Sequence, residues 1–225
     1  MEVYIVDVYA WTASFRYPNL ISGVQPTLDV PPLSTVLGLL NAAAGRYLVH
    51  EDLEIGYYFE YQAKEFDLET IYQLEANAKG QVSSVAKQNI LRREFLVDAR
   101  LRIYLTDKEL VSYLQRPAYP LLLGRSGDLA TVRMPKDNVR SLPERPAASK
   151  IKGQVVPFKG NFLPGTIQAL PQYFSDSLPR NNLGTRPYSV VRFDAPDFQT
   201  HLPAIRDEEI GVDIFRHRFS SADYE

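Results

Sequence analysis

The sequence contains no cysteine, which excludes disulfide bonds and thiolate metal ligands over all 225 residues. It has only three histidines, and they form no cluster with the spacing of a metal site. No hydrophobic run reaches the roughly 20 residues of a membrane span, and the N-terminal residues carry acids where a signal peptide needs basic residues. Glycine motifs that bind nucleotide phosphates are also lacking. We therefore expect a soluble, cytoplasmic protein without metal, cofactor or membrane partner.

The charges that are present add up to only −2, but they are sorted along the chain. Residues 50–75 hold eight acids and one lysine, and residues 194–213 hold six acids and one arginine. Residues 79–102 instead hold six basic and two acidic residues, and residues 133–159 hold seven basic and two acidic residues. The basic stretches indicate a local anionic partner, and the alternative is that they are solvated surface.

Hydrophobic periodicity predicts a first strand at residues 3–11 and then a helix that begins at Leu33, after a pair of prolines. One side of this helix is rich in leucine and valine. The opposite side has almost no side chains, because small residues recur there at Ser34, Gly38 and Ala42. We predict that this bare side lies against the protein's own sheet, with a neighbouring subunit as the alternative.

The later segments complete an alternating pattern of strands and helices. Two strands lead to a polar, low-complexity tip at residues 76–87, a strand returns, and Asp107 is a plausible N-cap for a short helix before the next strand. We therefore predict an α+β fold, with a ferredoxin-like or RRM-like βαββαβ domain over residues 1–142. A long β-hairpin is expected at about residues 64–97 of this domain. Residues 143–225, which are rich in proline and short apolar runs, are predicted to form a β-rich region packed on it.

Three segments resemble the CRISPR-associated protein 5 family, in the same order and at similar spacing. They are "SFRYPNLISGVQPTLDVPPLSTVLGLLNAAAG" at residues 14–45, "RREFLVDARLRIYL" at residues 92–105 and "YPLLLGRSGDLATV" at residues 119–132. The likeness covers roughly residues 1–133.

The resemblance implies a non-catalytic subunit of a type I CRISPR surveillance complex, Cascade, in antiviral defence or RNA-guided DNA targeting. Members of the family have an RNA-recognition-like fold of the RAMP type with a long hairpin, the thumb. They cap the complex by holding the 5′ handle of the CRISPR RNA. The implied partners are this RNA, the backbone subunit, the large subunit and, as a further candidate, the RNA-processing subunit, with target DNA reached only through the complex.

By analogy, residues 79–93 are the thumb and residues 123–126 are a glycine loop beside the RNA. Cations bind phosphates, aromatic rings stack on bases, and glycine allows a close backbone approach. The RNA-binding residues that we predict on these grounds are Phe15, Arg16, Lys79, Lys87, Arg92, Arg93, Gly124, Arg125 and Ser126.

Four of these residues also have a purely structural interpretation. Phe15 is also a candidate core residue, and Arg92 and Arg93 are candidates to solubilise a strand edge. Arg125 is a candidate helix cap. Arg100 and Arg102 are expected to be surface or interface charges.

Two other functions remain open at this stage. Some relatives are metal-independent endoribonucleases that process precursor CRISPR RNA with a tyrosine, a lysine and a histidine. Here Tyr47 and His50 follow the first helix, but no Lys-His pair follows the thumb, and His201 and His217 have no evident partners. A scaffold that binds only proteins is the other alternative. Steep salt dependence of RNA binding would distinguish RNA recognition from such a scaffold.

Overall fold

The structure is a computed structural model of the chain, and it describes residues 1–18, 20, 23–49, 53–82, 87–158 and 162–219. These residues form a mixed fold with mostly strands and few helices. The strands are β1 Glu2–Ala13, β2 Val24–Gln25, β3 Leu53–Glu60, β4 Ala63–Gln73, β5 Lys87–Leu105, β6 Leu121–Leu122, β7 Leu129–Arg133, β8 Val139–Ser141, β9 Glu144–Arg145, β10 Gln154–Pro157, β11 Thr166–Leu170, β12 Tyr173–Phe174, β13 Asn182–Leu183, β14 Arg186–Val191, β15 Ala204–Asp207, β16 Val212–Ile214 and β17 His217–Phe219. The helices are α1 Leu33–Ala44 and α2 Lys108–Gln115.

The central sheet has the strand order β17-β3-β5-β1-β7-β6, and neighbouring strands along this path are antiparallel. β1 and β5 lie at its centre. Their register runs from Tyr4 opposite Leu105 to Ala13 opposite Leu96. Because side chains alternate along a strand, β1 presents apolar residues to both faces of the sheet, and both faces are covered.

β5 is the longest strand, with 19 residues, and it belongs to two substructures. Its second half pairs with β1 and β3 in the sheet. Its first half pairs with β4, from Gln73 opposite Lys87 to Ala63 opposite Val97. β4 is largely exposed along its length. The paired segments 63–73 and 87–97 therefore form a hairpin that projects from the sheet, and β2 pairs with its β5 strand at Arg92 and Arg93.

Both helices pack on one face of the sheet. α1 buries its leucine and valine side there and ends at Gly45, whose positive φ of 71° is the left-handed conformation that commonly terminates helices. α2 begins at Asp107, whose carboxylate accepts a hydrogen bond from the backbone N–H of Glu109 at 2.7 Å. The N-cap that the sequence predicts at Asp107 is thus confirmed.

Residues after position 142 contribute to the core on both faces of the central sheet. On the helical face, Val155 and Tyr188 join the main core. On the opposite face, Ile205 and Ile214 pack with Val3 and neighbouring residues of β1, β3 and β5. The predicted division into two domains at residue 142 stays a prediction. Residues before and after this position share both cores.

Arg102 lies under this second layer, where it was expected to be a surface or interface charge. Its side chain is 2% exposed and bonds to Asp7 and Asp207, which are also buried, and to Glu209. The expectation is wrong for Arg102, because β15 and the turn after it cover this face and supply two of the carboxylates. Arg100, beside it, is partly exposed and pairs with Asp7 and Glu60.

The bare side of α1 does not contact the sheet, which corrects the sequence expectation. It lines a cavity of about 390 Å³, together with residues of the β12–β13 region such as Phe174. A Cβ atom added to Gly38 would meet no heavy atom within 4 Å. The physical reason is that the leucine and valine side of α1 already occupies the sheet, so the small residues face away from it.

Candidate functional site

Three arginines from separate segments converge on one groove of about 480 Å³. Arg16 lies just beyond β1, Arg93 lies on the hairpin half of β5, and Arg125 lies in the loop between β6 and β7. We call this the arginine groove. Its other lining residues are Thr12, Glu69, Ser126, Gly127 and Asp128.

Asp128 is fully buried and fixes the loop that carries Arg125. Its carboxylate accepts hydrogen bonds from the backbone N–H of Arg125 at 2.9 Å, from Arg125 Nε at 3.1 Å and from Arg125 Nη2 at 3.0 Å. The hydroxyl of Thr12 donates to the same carboxylate at 2.6 Å. Burial alone would lower the pKa of Arg125, but the hydrogen bonds to Asp128 and Glu69 outweigh burial and raise it. Arg125 is therefore charged and held in one orientation.

Glu69 of β4 bridges Arg93 on the hairpin and Arg125 in the loop. One of its oxygens accepts from Arg93 Nε at 2.8 Å, and the other accepts from Arg125 Nη1 at 2.7 Å. The Arg125 guanidinium also lies 5.5 Å from the centre of the Phe95 ring. These contacts join the hairpin to the glycine loop through two arginines and one carboxylate.

The groove retains hydrogen-bond donors for an anion. A guanidinium group has five N–H donors, of which Arg125 uses three and Arg93 uses one in bonds with described residues. Arg16 is exposed and forms no ion pair with any residue that the structure describes. Three guanidinium groups and two carboxylates line the groove, so positive charge is in excess.

Gly124 makes a close backbone approach, but to the protein's own chain. Its φ is +124°, and an added Cβ would lie 2.0 Å from the backbone oxygen of Ser14. The cause is the hydrogen bond from Ser14 N–H to the Leu123 carbonyl at 3.0 Å, which brings the loop against the end of β1. The glycine thus permits loop and strand to meet. Gly124 and Ser126 are both exposed, and their contact with RNA stays a prediction.

Phe15 is a core residue in this structure, which corrects its assignment as a stacking residue. Its side chain is 2% exposed, and its ring packs edge-on against Phe59 at 5.3 Å between ring centres. The reason is that the chain turns inward after β1, where the Phe15 N–H donates to the Thr27 hydroxyl at 2.8 Å. A base cannot reach the face of a ring that is buried in this way.

The remaining cations of the hairpin lie outside the arginine groove. Lys79 is exposed in the turn at the tip, and Lys87 is exposed and pairs with Glu75 at 3.1 Å. Arg92 lies with its guanidinium 4.0 Å from the centre of the Phe66 ring. The same face of the hairpin carries further exposed apolar side chains, because β4 and β5 pair in register; they are Leu68, Tyr72 and Ile90.

Sequence reasoning found the arginines of this site but missed the residues that hold them. Neither Glu69 nor Asp128 was a candidate. Strand pairing provides a signal for Glu69, because it lies opposite Leu91 and therefore on the same face as Arg93, at the diagonal position. Asp128 contacts Arg125, which lies three residues earlier in the same loop. This spacing alone predicts the contact only weakly.

The residues of the ribonuclease alternative are not brought together in the described part of the chain. Tyr47 lines the cavity beside α1 with Arg46 and Arg180, and His50 lies outside the described residues. His201 is exposed. His217 is buried, and burial lowers its pKa to about 4, so it is neutral near pH 7.

Within the described residues, no helix is long and apolar enough to cross a membrane. Nor do three or more potential metal-ligating side chains gather at one point in that part of the chain.

Comparison with solved structures gives the fold a known context. A chain of a structure described as "CRISPR RNA-guided surveillance complex" aligns with a TM-score of 0.54 at 18% identity, over 88% of this chain and 91% of that one. A chain of a "Type III-B Cmr-beta bound to cognate target RNA and AMPPnP" cryo-EM structure aligns with a TM-score of 0.53 at 8% identity, over 89% and 86%. These likenesses show a shared fold. No curated protein matches the chain significantly.

The sequence also matches a family model, described as CRISPR-associated protein (Cas_Cas5), over residues 3–163. This range includes β1, α1, the hairpin, α2 and the loop of Arg125. It also contains the three motifs by which the sequence resembled that family. Because the match covers most of the chain, the protein belongs to the CRISPR-associated protein 5 family, as its motifs predicted.

Proposed function

We propose that the protein is a non-catalytic subunit of a type I CRISPR surveillance complex, Cascade, and that its arginine groove holds the 5′ handle of the CRISPR RNA. The observation that carries this proposal is the convergence of Arg16, Arg93 and Arg125 on one groove. Single-stranded RNA ends are bound through their phosphates and unstacked bases, and a guanidinium group can hold a phosphate through two parallel hydrogen bonds.

The strand order supports an RNA-recognition type of domain. β3, β5, β1 and β7 lie side by side and antiparallel, and α1 and α2 pack on one face. We infer that β1-α1-β3-β5-α2-β7 is the ferredoxin-like βαββαβ unit, with the hairpin as an extension between β3 and the second half of β5. In this arrangement the arginine groove lies where the hairpin leaves the sheet.

The ion pairs of the groove hold two of its arginines in place before RNA binds, and they reduce the net positive charge of the groove. Glu69 and Asp128 fix Arg93 and Arg125 before RNA arrives, so little side-chain entropy is lost on binding. They also neutralise much of the charge. We therefore infer that the isolated chain binds RNA weakly and that assembly with other subunits supplies much of the affinity.

The apolar face of the hairpin supports protein contacts as part of the same function. Phe66, Leu68, Tyr72 and Ile90 are exposed on one face, and contiguous exposed apolar surface is typical of protein interfaces. We propose that this face packs against another subunit of the complex, and the backbone and large subunits are the partners that the family implies. Lys79 and Lys87, at and near the tip, stay predictions for RNA contact.

The test is charge reversal at Arg16, the groove arginine that no described acid pairs. Arg16→Glu should weaken binding of a synthetic repeat-derived RNA about tenfold or more at low salt, because attraction to a phosphate becomes repulsion. The slope of log affinity against log salt should also become shallower by about 0.7. Fluorescence anisotropy over a range of salt concentrations measures both quantities.

Lys136→Glu is the matched control, because Lys136 is exposed, lies in the second basic stretch and does not line the groove. It makes the same change in net charge. Equal losses of affinity in the two variants would mean that RNA responds only to net charge, and the groove assignment would then be wrong.

A further inference from the structure

Trp11, the only tryptophan of the chain, lies in β1 with 84% of its surface exposed. The proposed function makes no use of it. An aromatic ring of this size contributes most to stability when buried, so such exposure within a strand needs a reason. Leu129 of β7 lies beside it, because Ala10 and Ala130 pair in the sheet, and Leu129 is also exposed.

The surroundings of Trp11 combine aromatic rings with cations. Tyr9 lies two positions earlier on β1 and therefore faces the same side of the sheet. The guanidinium of Arg133 is 4.9 Å from the centre of the Tyr9 ring, and that of Arg100 is 5.8 Å from it. Arg133 is exposed and forms no ion pair with any described residue. Flat rings beside cations are the chemistry with which proteins bind single-stranded nucleic acid.

Trp11 and Leu129 are each next in sequence to a residue that lines the arginine groove. Thr12, the residue after Trp11, lines the groove and donates to Asp128. Leu129, the residue after Asp128, lies on the Trp11 side. Because neighbouring side chains of a strand point to opposite faces, an RNA strand held by Arg16 and Arg125 has to pass the edge formed by Thr12 and Asp128 before it reaches the indole ring.

The size of the exposed apolar area favours a base over a protein. A stable protein interface buries about 800 Å² on each partner. Here the exposed apolar side chains are Trp11 and Leu129, and their neighbours on β7 are the exposed Thr131 and Arg133. The Trp11 ring has the size to stack on one base, and Arg133, which lies beside the Tyr9 ring, can pair with the next phosphate.

We propose that Trp11 is a stacking platform for one base of the RNA strand that leaves the arginine groove. Arg133 and Tyr9 continue the path beyond that base. This inference rests on the proposed function, because it requires RNA in the groove.

The experiment uses Trp11 as its own reporter, since the chain contains no other tryptophan. The full chain is titrated with a short oligoadenylate RNA and with an abasic oligomer of the same length, which keeps the phosphates but has no bases. Oligoadenylate should quench the Trp11 fluorescence and shield it from acrylamide, whereas the abasic oligomer should bind without either effect. Trp11→Ala should weaken oligoadenylate binding about 5-fold to 150-fold and leave abasic binding unchanged.

Phe162→Ala is the control, because Phe162 is an equally exposed aromatic residue of the C-terminal part, close to Phe158. It should change neither affinity. RNA binding that depends on Arg16 but leaves Trp11 fluorescence and Trp11→Ala affinity unchanged overturns the stacking role and keeps the proposed function. A shift of Trp11 fluorescence that requires partner proteins and no RNA also overturns it. Absence of any Arg16-dependent RNA binding overturns both.

Discussion

At the scale of single residues, two glycines show how the same residue type serves opposite needs. Gly124 has a positive φ and no room for a side chain, because the backbone of Ser14 occupies that space. Gly38 lies inside α1, where an added methyl group would point into the cavity without contact. The first glycine is required by the fold, whereas the second weakens the helix relative to alanine.

Gly124→Ala should therefore lower the free energy of unfolding by more than about 2 kcal/mol, because it adds backbone strain and a clash. Gly38→Ala is the matched control and should raise it by about 0.5–1 kcal/mol. Urea denaturation of the two variants measures both changes. A Gly124→Ala variant as stable as the wild type would show that the loop can move away from β1 without cost.

The burial of His217 predicts that the free energy of unfolding decreases at acidic pH. Its ring packs between Tyr57 and Phe215, and burial lowers its pKa from 6.5 to about 4, partly offset by a hydrogen bond to the Val155 backbone. Between pH 6.5 and 4 the unfolded chain binds a proton there that the folded chain does not, so the free energy of unfolding falls as pH falls. The total loss is about 3 kcal/mol.

His217→Phe removes this titration and keeps an aromatic ring against Tyr57. The variant should lose less stability than the wild type between pH 6.5 and 4, as measured by urea denaturation at several pH values. The comparison concerns how steeply the free energy of unfolding changes with pH, since loss of the His217 hydrogen bond also shifts its absolute value. Parallel profiles would show that His217 is protonated without penalty in the folded state.

At the scale of elements, Glu69 links the hairpin to the glycine loop and neutralises part of the positive charge of the arginine groove. Glu69→Gln keeps an oxygen that can accept from Arg93 and Arg125 but adds one unit to the excess positive charge of the arginine groove. RNA affinity at low salt should rise, and the salt dependence should steepen by about 0.7. Salt titrations by fluorescence anisotropy measure this change.

Glu75→Gln provides the comparison farther along the hairpin, because it frees Lys87 near the tip by the same change in charge. It should change the salt dependence less than Glu69→Gln does, because Lys87 lies outside the arginine groove. The reverse result, with an effect at Glu75 and none at Glu69, would place the RNA on the tip beside Lys79 and Lys87 and contradict the groove assignment.

The elements also show what sequence reasoning could reach. The N-cap at Asp107 and the core side of α1 are local patterns, and the structure has both. The burial of Phe15 and the open side of α1 depend on segments far away in the sequence, such as Thr27 and the β12–β13 region. The arginines of the site could be identified from family motifs, but their partner Glu69 comes from a strand pairing that those motifs do not specify.

At the scale of the whole molecule, Arg102 links the central sheet to the C-terminal strands. It bonds Asp7 of β1 at 2.8 Å and Asp207 of β15 at 3.1 Å, and all three side chains are buried. Arg102→Met would leave those carboxylates buried with too little compensating charge, although Arg100 still reaches Asp7. The free energy of unfolding should fall by about 3–5 kcal/mol.

Arg145→Met is the control, because Arg145 forms an exposed pair with Glu208 at 3.6 Å within the C-terminal strands and does not reach the central sheet. Its cost should stay within about 0.5 kcal/mol. Thermal and urea denaturation compare the two variants. Similar small effects would show that apolar packing alone holds the C-terminal strands on the sheet.

β5 has one further consequence for how the molecule responds to its neighbours. One half of this strand lies between β1 and β3, while the other half forms the hairpin with β4 and pairs with β2 at Arg92 and Arg93. A force that a bound subunit exerts on the hairpin is expected to reach the sheet near residue 97, where β1, β4 and β5 meet. Because β1 ends beside this point, we expect docking at the far end of the hairpin to influence the orientation of Trp11 and Arg16.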